Sequence, residues 1–62
     1  MLAAVDCGRP SVPLNGGVDY LETVFLSMAY YACDNGYLLA GERNRSCEAS
    51  AMWSGDEPEC KG

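Results

Sequence analysis

The sequence contains no histidine and only four basic residues among its 62. Without histidine, the chain lacks the most common general base and the most common metal ligand of proteins. Nine acidic residues give a net charge of −5, which disfavours nucleic acid and anionic membrane surfaces as partners because both need basic patches. No apolar run approaches the roughly 20 residues of a membrane span, so direct membrane insertion is also excluded.

The chain is one domain at most, and a domain of this size buries only about 60% of the surface that its unfolded form exposes. Its four cysteines, an even number in a short chain, indicate two disulfides, and the residues alone leave three pairings open. A structural zinc site is the alternative, but such sites pair their ligands at spacings such as C-x2-C. Here 25, 13 and 12 residues separate successive cysteines. Two disulfides predict an oxidising compartment, and therefore a secreted or cell-surface protein.

The start of the chain, MLAAVD, is too short for a signal peptide, whose apolar region alone needs about 7 to 15 residues. An extracellular disulfide module without a signal is expected to be a piece of a larger protein. We interpret residues 1–4 as a cloning remnant or linker, and residues 5–61 as a single module.

Glycine, proline and asparagine interrupt the chain too often for a helical pattern to persist over three turns. Pro10 and Pro13 favour an extended path, and turns are predicted at Asn15-Gly16-Gly17 and at Asn35-Gly36. Between these signals, the residue pattern predicts strands over 18–25, 28–33, 37–41 and 43–49, followed by a short segment into the last cysteine. The sequence therefore predicts a small all-β domain.

An ordered set of cysteines, turn residues and aromatic residues extends over nearly the whole chain: Cys7, Pro10, Asn15-Gly16, Tyr31-x-Cys33, Gly36-Tyr37, Leu39, Gly41, Arg45-x-Cys47, Trp53, Gly55 and Pro58-x-Cys60. This order resembles the sushi module, also called the complement control protein module or short consensus repeat. The resemblance implies a small, disulfide-rich, elongated domain of short antiparallel strands. It also implies the pairing Cys7–Cys47 and Cys33–Cys60, and a core that contains Tyr31 and Trp53, with Trp53 beside Cys33–Cys60.

The chain departs from the family pattern at two glycine positions. Leu26 stands where the family often has glycine, and Ala51-Met52 fill the place just before the tryptophan. The loss of a glycine matters only where the backbone needs a positive φ. The turn over residues 48–52 is therefore expected to take another form, and Leu26 and Met52 are expected to be exposed.

The candidates for chemistry are few. Asp56, Glu57 and Glu59 could form an acid/base pair or contribute to a calcium site, but acids around a stiffening Pro58 are more typical of a solvated turn. All four cysteines are better used in disulfides than as nucleophiles. We therefore expect no enzymatic activity, no metal and no cofactor.

Two further surface features can be identified from the sequence. Asn44-Arg45-Ser46 fits the N-glycosylation sequon, so the protein is a possible glycoprotein. Arg43 and Arg45 alternate and could share a strand face, but Glu42 adjoins them, and heparin is not expected as a ligand.

Partner binding is predicted at Tyr20, Leu21 and Glu22, where an aromatic residue, an apolar residue and an acid follow one another. The alternative is that Tyr20 only packs on a strand face. If Tyr31 points into the core, Tyr30 points outward or toward a neighbouring module, because neighbouring strand residues face opposite sides.

The resemblance implies a noncatalytic extracellular protein-binding module. We expect one repeat of a secreted or membrane-anchored protein of the complement-regulator or cell-adhesion kind, with adjacent modules in the same chain. A structural spacer, and a sushi module of a cytokine receptor or of a protease accessory region, are the alternatives.

Overall fold

The computed structural model describes residues 5–62, so the interpretation of residues 1–4 lies outside the described residues. The described chain forms five short strands: β1 (Gly16–Tyr20), β2 (Met28–Cys33), β3 (Leu38–Ala40), β4 (Asn44–Ser46) and β5 (Glu59–Lys61). The order β1-β2-β4 makes a three-stranded antiparallel sheet, and β3 pairs with β5 in a second antiparallel sheet. The molecule measures 47 × 18 × 13 Å. The predicted fold class, a small all-β domain of short antiparallel strands, is confirmed.

The first strand differs from its prediction at both ends. It begins at Gly16, so the predicted turn glycines lie inside β1, and it ends at Tyr20 rather than at Phe25. The turn comes earlier, where the Gly16 amide donates to the Pro13 carbonyl and Asn15 has a φ of 63°. Gly16 is needed in β1 because a Cβ there would lie 2.6 Å from Cys60 Sγ. The glycine at position 16 allows two chain segments to approach closely. The sequence pattern alone does not distinguish such a glycine from a glycine in a turn.

The second strand separates the buried side of the sheet from the solvent side. Ala29 and Tyr31 are buried, whereas Tyr30 and Ala32 are exposed. This alternation follows from the period of two in a strand. Ala29 and Tyr31 form the core with Cys47 and Trp53, and further residues pack around them: Val5, Cys7, Val18, Tyr20 and Leu39.

Two disulfides hold this small core together. Cys7 is bonded to Cys47, and Cys33 to Cys60, across sequence separations of 40 and 27 residues. Closing loops of these lengths restricts the unfolded chain and stabilises the fold by about 3.5 to 4 kcal/mol per bridge in the chain-entropy account. The stabilising free energy of each disulfide is therefore comparable to a large part of the total stability of a small domain.

The two positions that lack the family's glycine have the backbone conformation that glycine favours. Leu26 has a φ of 73° and Ala51 a φ of 66°, both in the left-handed region. The side chains of Leu26 and Met52 are exposed, as expected. The turn before Trp53 keeps a left-handed residue even though alanine occupies it, which costs conformational energy that glycine would avoid.

Candidate functional site

An open cleft of about 490 Å³ lies where β1 ends beside β2. Its lining includes the three residues of the predicted binding stretch, together with neighbours from both strands: Asp19, Tyr20, Leu21, Glu22, Ser27, Met28 and Tyr30. Residues 20–22 thus line the cleft together with residues of β2. Tyr30, which sequence reasoning placed only as an outward residue, supplies an exposed aromatic side chain to the same cleft.

Tyr20 and Leu21 have different surroundings. Tyr20 is half-buried and packs against the core, since it lies opposite the buried Ala29 in the β1–β2 ladder. Leu21 follows directly and is 100% exposed. Tyr20 therefore packs on the strand face and also lines the cleft. Leu21 has no core contact to explain an apolar side chain in full contact with water.

The segment after Leu21 is fixed to the beginning of the module. The Cys7 amide donates to the Thr23 carbonyl at 2.8 Å, and the Phe25 amide donates to the Val5 carbonyl at 2.8 Å. The Thr23 hydroxyl also donates to Asp6 Oδ1 at 2.7 Å. Because residues 23–25 are tied down in this way, Leu21 and Glu22 project from a short segment anchored at both ends.

The hydrogen bonds at Asp6 also affect its ionisation. The Thr23 hydroxyl, followed by the Gly8 amide at 2.9 Å, lowers the pKa of the Asp6 carboxyl below its ordinary value of 3.8. Both donors stabilise the charged carboxylate, which is the form that accepts their hydrogen bonds. The ionised Asp6 therefore helps to hold the segment that presents the cleft.

The lining of the cleft combines acidic residues with apolar ones. Asp19 and Glu22 contribute two carboxylates, and among the described residues that line the cleft there is no lysine or arginine. Tyr20, Leu21 and Tyr30 provide the apolar contact area.

Trp53 belongs to the structural core. It is 8% exposed, forms an isolated bridge with Cys47, and its indole Nε1 donates to the Gly8 carbonyl at 3.0 Å. The disulfide that packs with it in the core is therefore Cys7–Cys47. The resemblance implied Cys33–Cys60 instead, and this expectation is corrected. The β-bridge between Trp53 and Cys47 and the hydrogen bond to the Gly8 carbonyl place the indole beside Cys7–Cys47.

Arg45 has a structural role that sequence reasoning missed. Its guanidinium donates to the carbonyl oxygens of Ser54, Trp53 and Gly55 at 2.8 to 3.3 Å, and to the Tyr31 hydroxyl at 3.3 Å. A planar guanidinium can satisfy several carbonyls of one turn at the same time. No sequence signal identified this role, because the pairing of β2 with β4, which places Arg45 opposite the buried Ala29, is not visible in the sequence. Because Arg45 is engaged here, it does not form a basic patch with the exposed Arg43.

The remaining candidates lie apart from the cleft. Asp56, Glu57 and Glu59 are exposed around the buried Pro58. Within residues 5–62 there is no group of three or more potential metal ligands and no free cysteine. The same part of the chain contains no helix that is long and apolar enough to cross a membrane. Asn44 is exposed at the first position of β4, opposite Tyr30.

The family model described as Sushi repeat (SCR repeat) matches residues 7–60, from the first cysteine to the last. This range contains both disulfides, the core and all of the residues that line the cleft.

Several curated proteins are similar to this chain over most of its length. A rat protein named "Sushi, von Willebrand factor type A, EGF and pentraxin domain-containing protein 1" is 47% identical over 58 residues, which is 94% of this chain and 2% of that protein. Protein lev-9 of Caenorhabditis elegans is 43% identical over 58 residues, covering 94% of this chain and 9% of that protein. Mouse C4b-binding protein is 36% identical over 56 residues, or 90% of this chain and 12% of that protein. The chain thus spans only a small part of each relative.

Proposed function

The chain belongs to the sushi repeat family, and we propose that it is a noncatalytic extracellular module that recognises another protein through the cleft at the end of β1. The family is generally noncatalytic, and its modules occur in extracellular multidomain proteins. The small share of each relative that this chain covers supports one repeat of a larger protein. A relative that is by name a C4b-binding protein supports a parent of the complement-regulator kind.

The fully exposed Leu21 is the observation that carries this proposal. A lone exposed leucine is common on protein surfaces. This one lies beside two tyrosines and two carboxylates, on a segment whose far side is tied to residues 5–7. An anchored segment loses little conformational freedom on binding, so more of the contact energy remains for affinity.

The partner that fits this cleft is a protein segment with a basic residue next to an apolar one. The apolar side chain would cover Leu21 and contact Tyr20, while the basic group would approach Asp19 or Glu22. Aromatic residues at the centre of a surface with charges at its edge are the usual composition of a protein interface. The acidic net charge of the chain favours the approach of the same partner.

A site-specific crosslink tests the proposal in the full-length protein. A photoreactive amino acid is placed at Leu21, and in a matched variant at Leu38, which is also exposed but lies on β3 away from the cleft. We expect an extracellular protein to be crosslinked from position 21 and not from position 38. Equal crosslinking from both positions would contradict recognition at the cleft.

Affinity measurements with the crosslinked partner then separate the contributions of Leu21 and Glu22 to binding. Leu21→Ala should raise Kd at least about tenfold, as expected of a residue at the centre of an interface, whereas Leu38→Ala should leave Kd unchanged. Glu22→Lys should slow association with a basic partner more than it speeds dissociation. An unchanged Kd for Leu21→Ala would remove this residue from the interface.

A structural spacer is the second candidate, and the elongated shape of 47 × 18 × 13 Å favours it. A rigid module of this length would hold neighbouring domains apart without binding anything itself. Replacement of the module by an unrelated rigid domain of equal length distinguishes the two functions. Retained activity of the full-length protein would favour the spacer, and the loss of one specific ligand would favour recognition.

A further inference from the structure

The outward face of the three-stranded sheet carries one row of three side chains from three strands. Asp19 of β1 lies opposite Tyr30 of β2, and Tyr30 lies opposite Asn44 of β4. Side chains of directly opposed residues point to the same face and have Cβ atoms about 4.5 to 5.5 Å apart. All three are exposed, and Tyr30 keeps 52% of its surface accessible. Asn44 therefore lies beside an exposed aromatic ring, on the side away from Asp19.

The orientation of Asn44 is fixed by its neighbour. The Arg45 guanidinium is held on the opposite face by the carbonyl oxygens of residues 53–55. Because consecutive strand residues alternate between faces, this contact keeps Asn44 directed toward solvent. A large group on Asn44 would thus meet Tyr30 and water, and not the core.

Ser46, the hydroxyl residue of the sequon, is partly covered in the folded chain. Its amide donates to Ser54 Oγ at 3.0 Å, its hydroxyl lies 3.4 Å from the same oxygen, and the Ser54 amide donates to the Ser46 carbonyl at 2.8 Å. The next residue, Cys47, is buried and bonded to Cys7. An enzyme that must recognise the extended triplet therefore has access to it only before this part of the module closes.

We propose that Asn44 is an N-glycan acceptor, that it is modified before Cys7–Cys47 closes, and that its first N-acetylglucosamine packs on Tyr30. The Asn44 amide nitrogen forms a bond to C1 of the sugar of a lipid-linked oligosaccharide. The C1–O bond to the lipid diphosphate breaks, the diphosphate leaves with the electron pair, and the proton that the amide loses passes to water. Afterwards the apolar C–H face of the sugar covers the exposed ring, as apolar groups do on aromatic faces.

The position of this glycan has a consequence for the cleft, and this consequence rests on the proposed function. Tyr30 lies between Asn44 and the rest of the cleft lining. A glycan on Asn44 limits the approach of a partner from the β4 side. It leaves Leu21 and Glu22, on the segment after β1, accessible.

Occupancy is measured on the full-length protein secreted from a eukaryotic cell. Digestion after glutamate releases residues 43–48, whereas trypsin would cut at Arg43 and Arg45 and leave too short a peptide. We expect a glycan on Asn44, none in Asn44→Gln, and higher occupancy in Ser46→Thr. A mild reductant in the culture should raise occupancy in the unaltered chain, because it delays closure of Cys7–Cys47. An unmodified Asn44 with and without reductant would overturn the acceptor assignment, and occupancy indifferent to reductant would overturn the order of events.

Packing on Tyr30 is tested by trimming the glycan to its first sugar. The trimmed protein should have a Tm about 2 to 5 °C above that of Asn44→Gln, from one aromatic contact in a small domain. The same comparison in a Tyr30→Ala background should show no gain, and Ala32→Ser, on the same face of β2, should preserve it. An equal gain in the Tyr30→Ala background would overturn the packing. Neither measurement involves a partner, so their failure is distinguishable from failure of the recognition proposal.

Discussion

The two disulfides lie in surroundings of opposite kinds. Around Cys7–Cys47 the module is filled by large side chains, chiefly Tyr31 and Trp53, and we name this region the aromatic half. Around Cys33–Cys60 it is closed by glycines and buried prolines, and we name this region the glycine–proline half: Pro13, Gly16, Gly41 and Pro58. The first half is stabilised by buried apolar area, and the second by backbone segments that approach one another closely.

This difference teaches which substitutions each half tolerates. The aromatic half should be sensitive to the loss of volume, because a cavity forfeits contacts that the small core cannot replace. The glycine–proline half should be sensitive to added volume, because its segments already touch. The same fold thus fails in two opposite ways, and four predictions test this contrast or define its limits.

The largest effect is expected from removing the tryptophan of the aromatic half. Trp53→Ala should destabilise the domain by about 3 to 5 kcal/mol, which is close to the full stability of a chain this small. Trp53→Phe keeps most of the apolar volume but loses the hydrogen bond to the Gly8 carbonyl, so it should cost less. Thermal unfolding followed by circular dichroism measures both. A folded Trp53→Ala with an unchanged Tm would show that the aromatic half does not depend on volume.

The addition of a single methyl group should destabilise the glycine–proline half. A Cβ on Gly16 would lie 2.6 Å from Cys60 Sγ and 2.8 Å from the Ala32 carbonyl oxygen, whereas a Cβ on Gly17 would have no atom within 4 Å. Gly16→Ala should therefore cost about 1 to 3 kcal/mol, as overpacking typically does. Gly17→Ala, one residue further along β1, is the matched control and should stay close to neutral.

Denaturant titration of the two glycine variants provides the comparison. Equal midpoints for Gly16→Ala and Gly17→Ala would contradict the close packing against Cys60. A slower or incomplete formation of Cys33–Cys60 in Gly16→Ala alone would sharpen the contrast, since it would place the defect at that bridge.

Stabilisation should come from restoring glycine at the two left-handed positions. Leu26→Gly and Ala51→Gly remove the strain of a side chain at positive φ. The strain energy relieved should exceed the entropic cost of a more flexible unfolded chain, so each variant should be more stable by about 0.5 to 1 kcal/mol. Ala32→Gly is the control, because Ala32 lies exposed within β2 and glycine there should destabilise by a similar amount. If all three variants lose stability alike, the left-handed backbone is not a source of strain.

The smallest effect is expected from titration of Asp6, at the edge of the aromatic half. Its pKa is lowered in the folded state, chiefly by the Thr23 hydroxyl, so its contribution to stability is fully present above about pH 3.8. That contribution is lost as the pH falls through the lower folded pKa, because the protonated group no longer accepts both hydrogen bonds. Asp6→Asn should weaken stability slightly at pH 7 and flatten its dependence on pH below 4. An unchanged acid profile in Asp6→Asn would contradict this role.

The proposed recognition site at the cleft shows how far sequence reasoning reaches. The stretch Tyr20, Leu21 and Glu22 was identified from its composition, and these residues do line one cleft. Tyr30 was not assigned to it, because the sequence pattern does not give the register of the β1–β2 pair, which brings Tyr30 beside the end of β1. Arg45 was missed for the same reason, since its partners lie in a turn that only the folded chain brings to β4.

The strand bounds show a second kind of difference between the sequence-based prediction and the structure. The alternation of β2 was visible in the sequence, and its strand was predicted with the observed bounds. The strand predicted over 18–25 is wrong beyond Tyr20, because the segment after it pairs with residues 5–7 instead of continuing the ladder. Hydrogen bonds to the N-terminal segment outweigh the local β propensity of Val24 and Phe25.

The sequence by itself determined that this chain is a small all-β, disulfide-held module of the sushi kind, because cysteine, glycine and aromatic positions constrain the backbone locally. Only the tertiary structure decided which disulfide the tryptophan packs against, why Gly16 must lack a side chain, and which residues join Leu21 at the cleft. The first two features depend on distances between segments that are remote in sequence, and the third depends on the register between β1 and β2. Local propensity carries no information on such distances, which are set when the strands pair and the two bridges close.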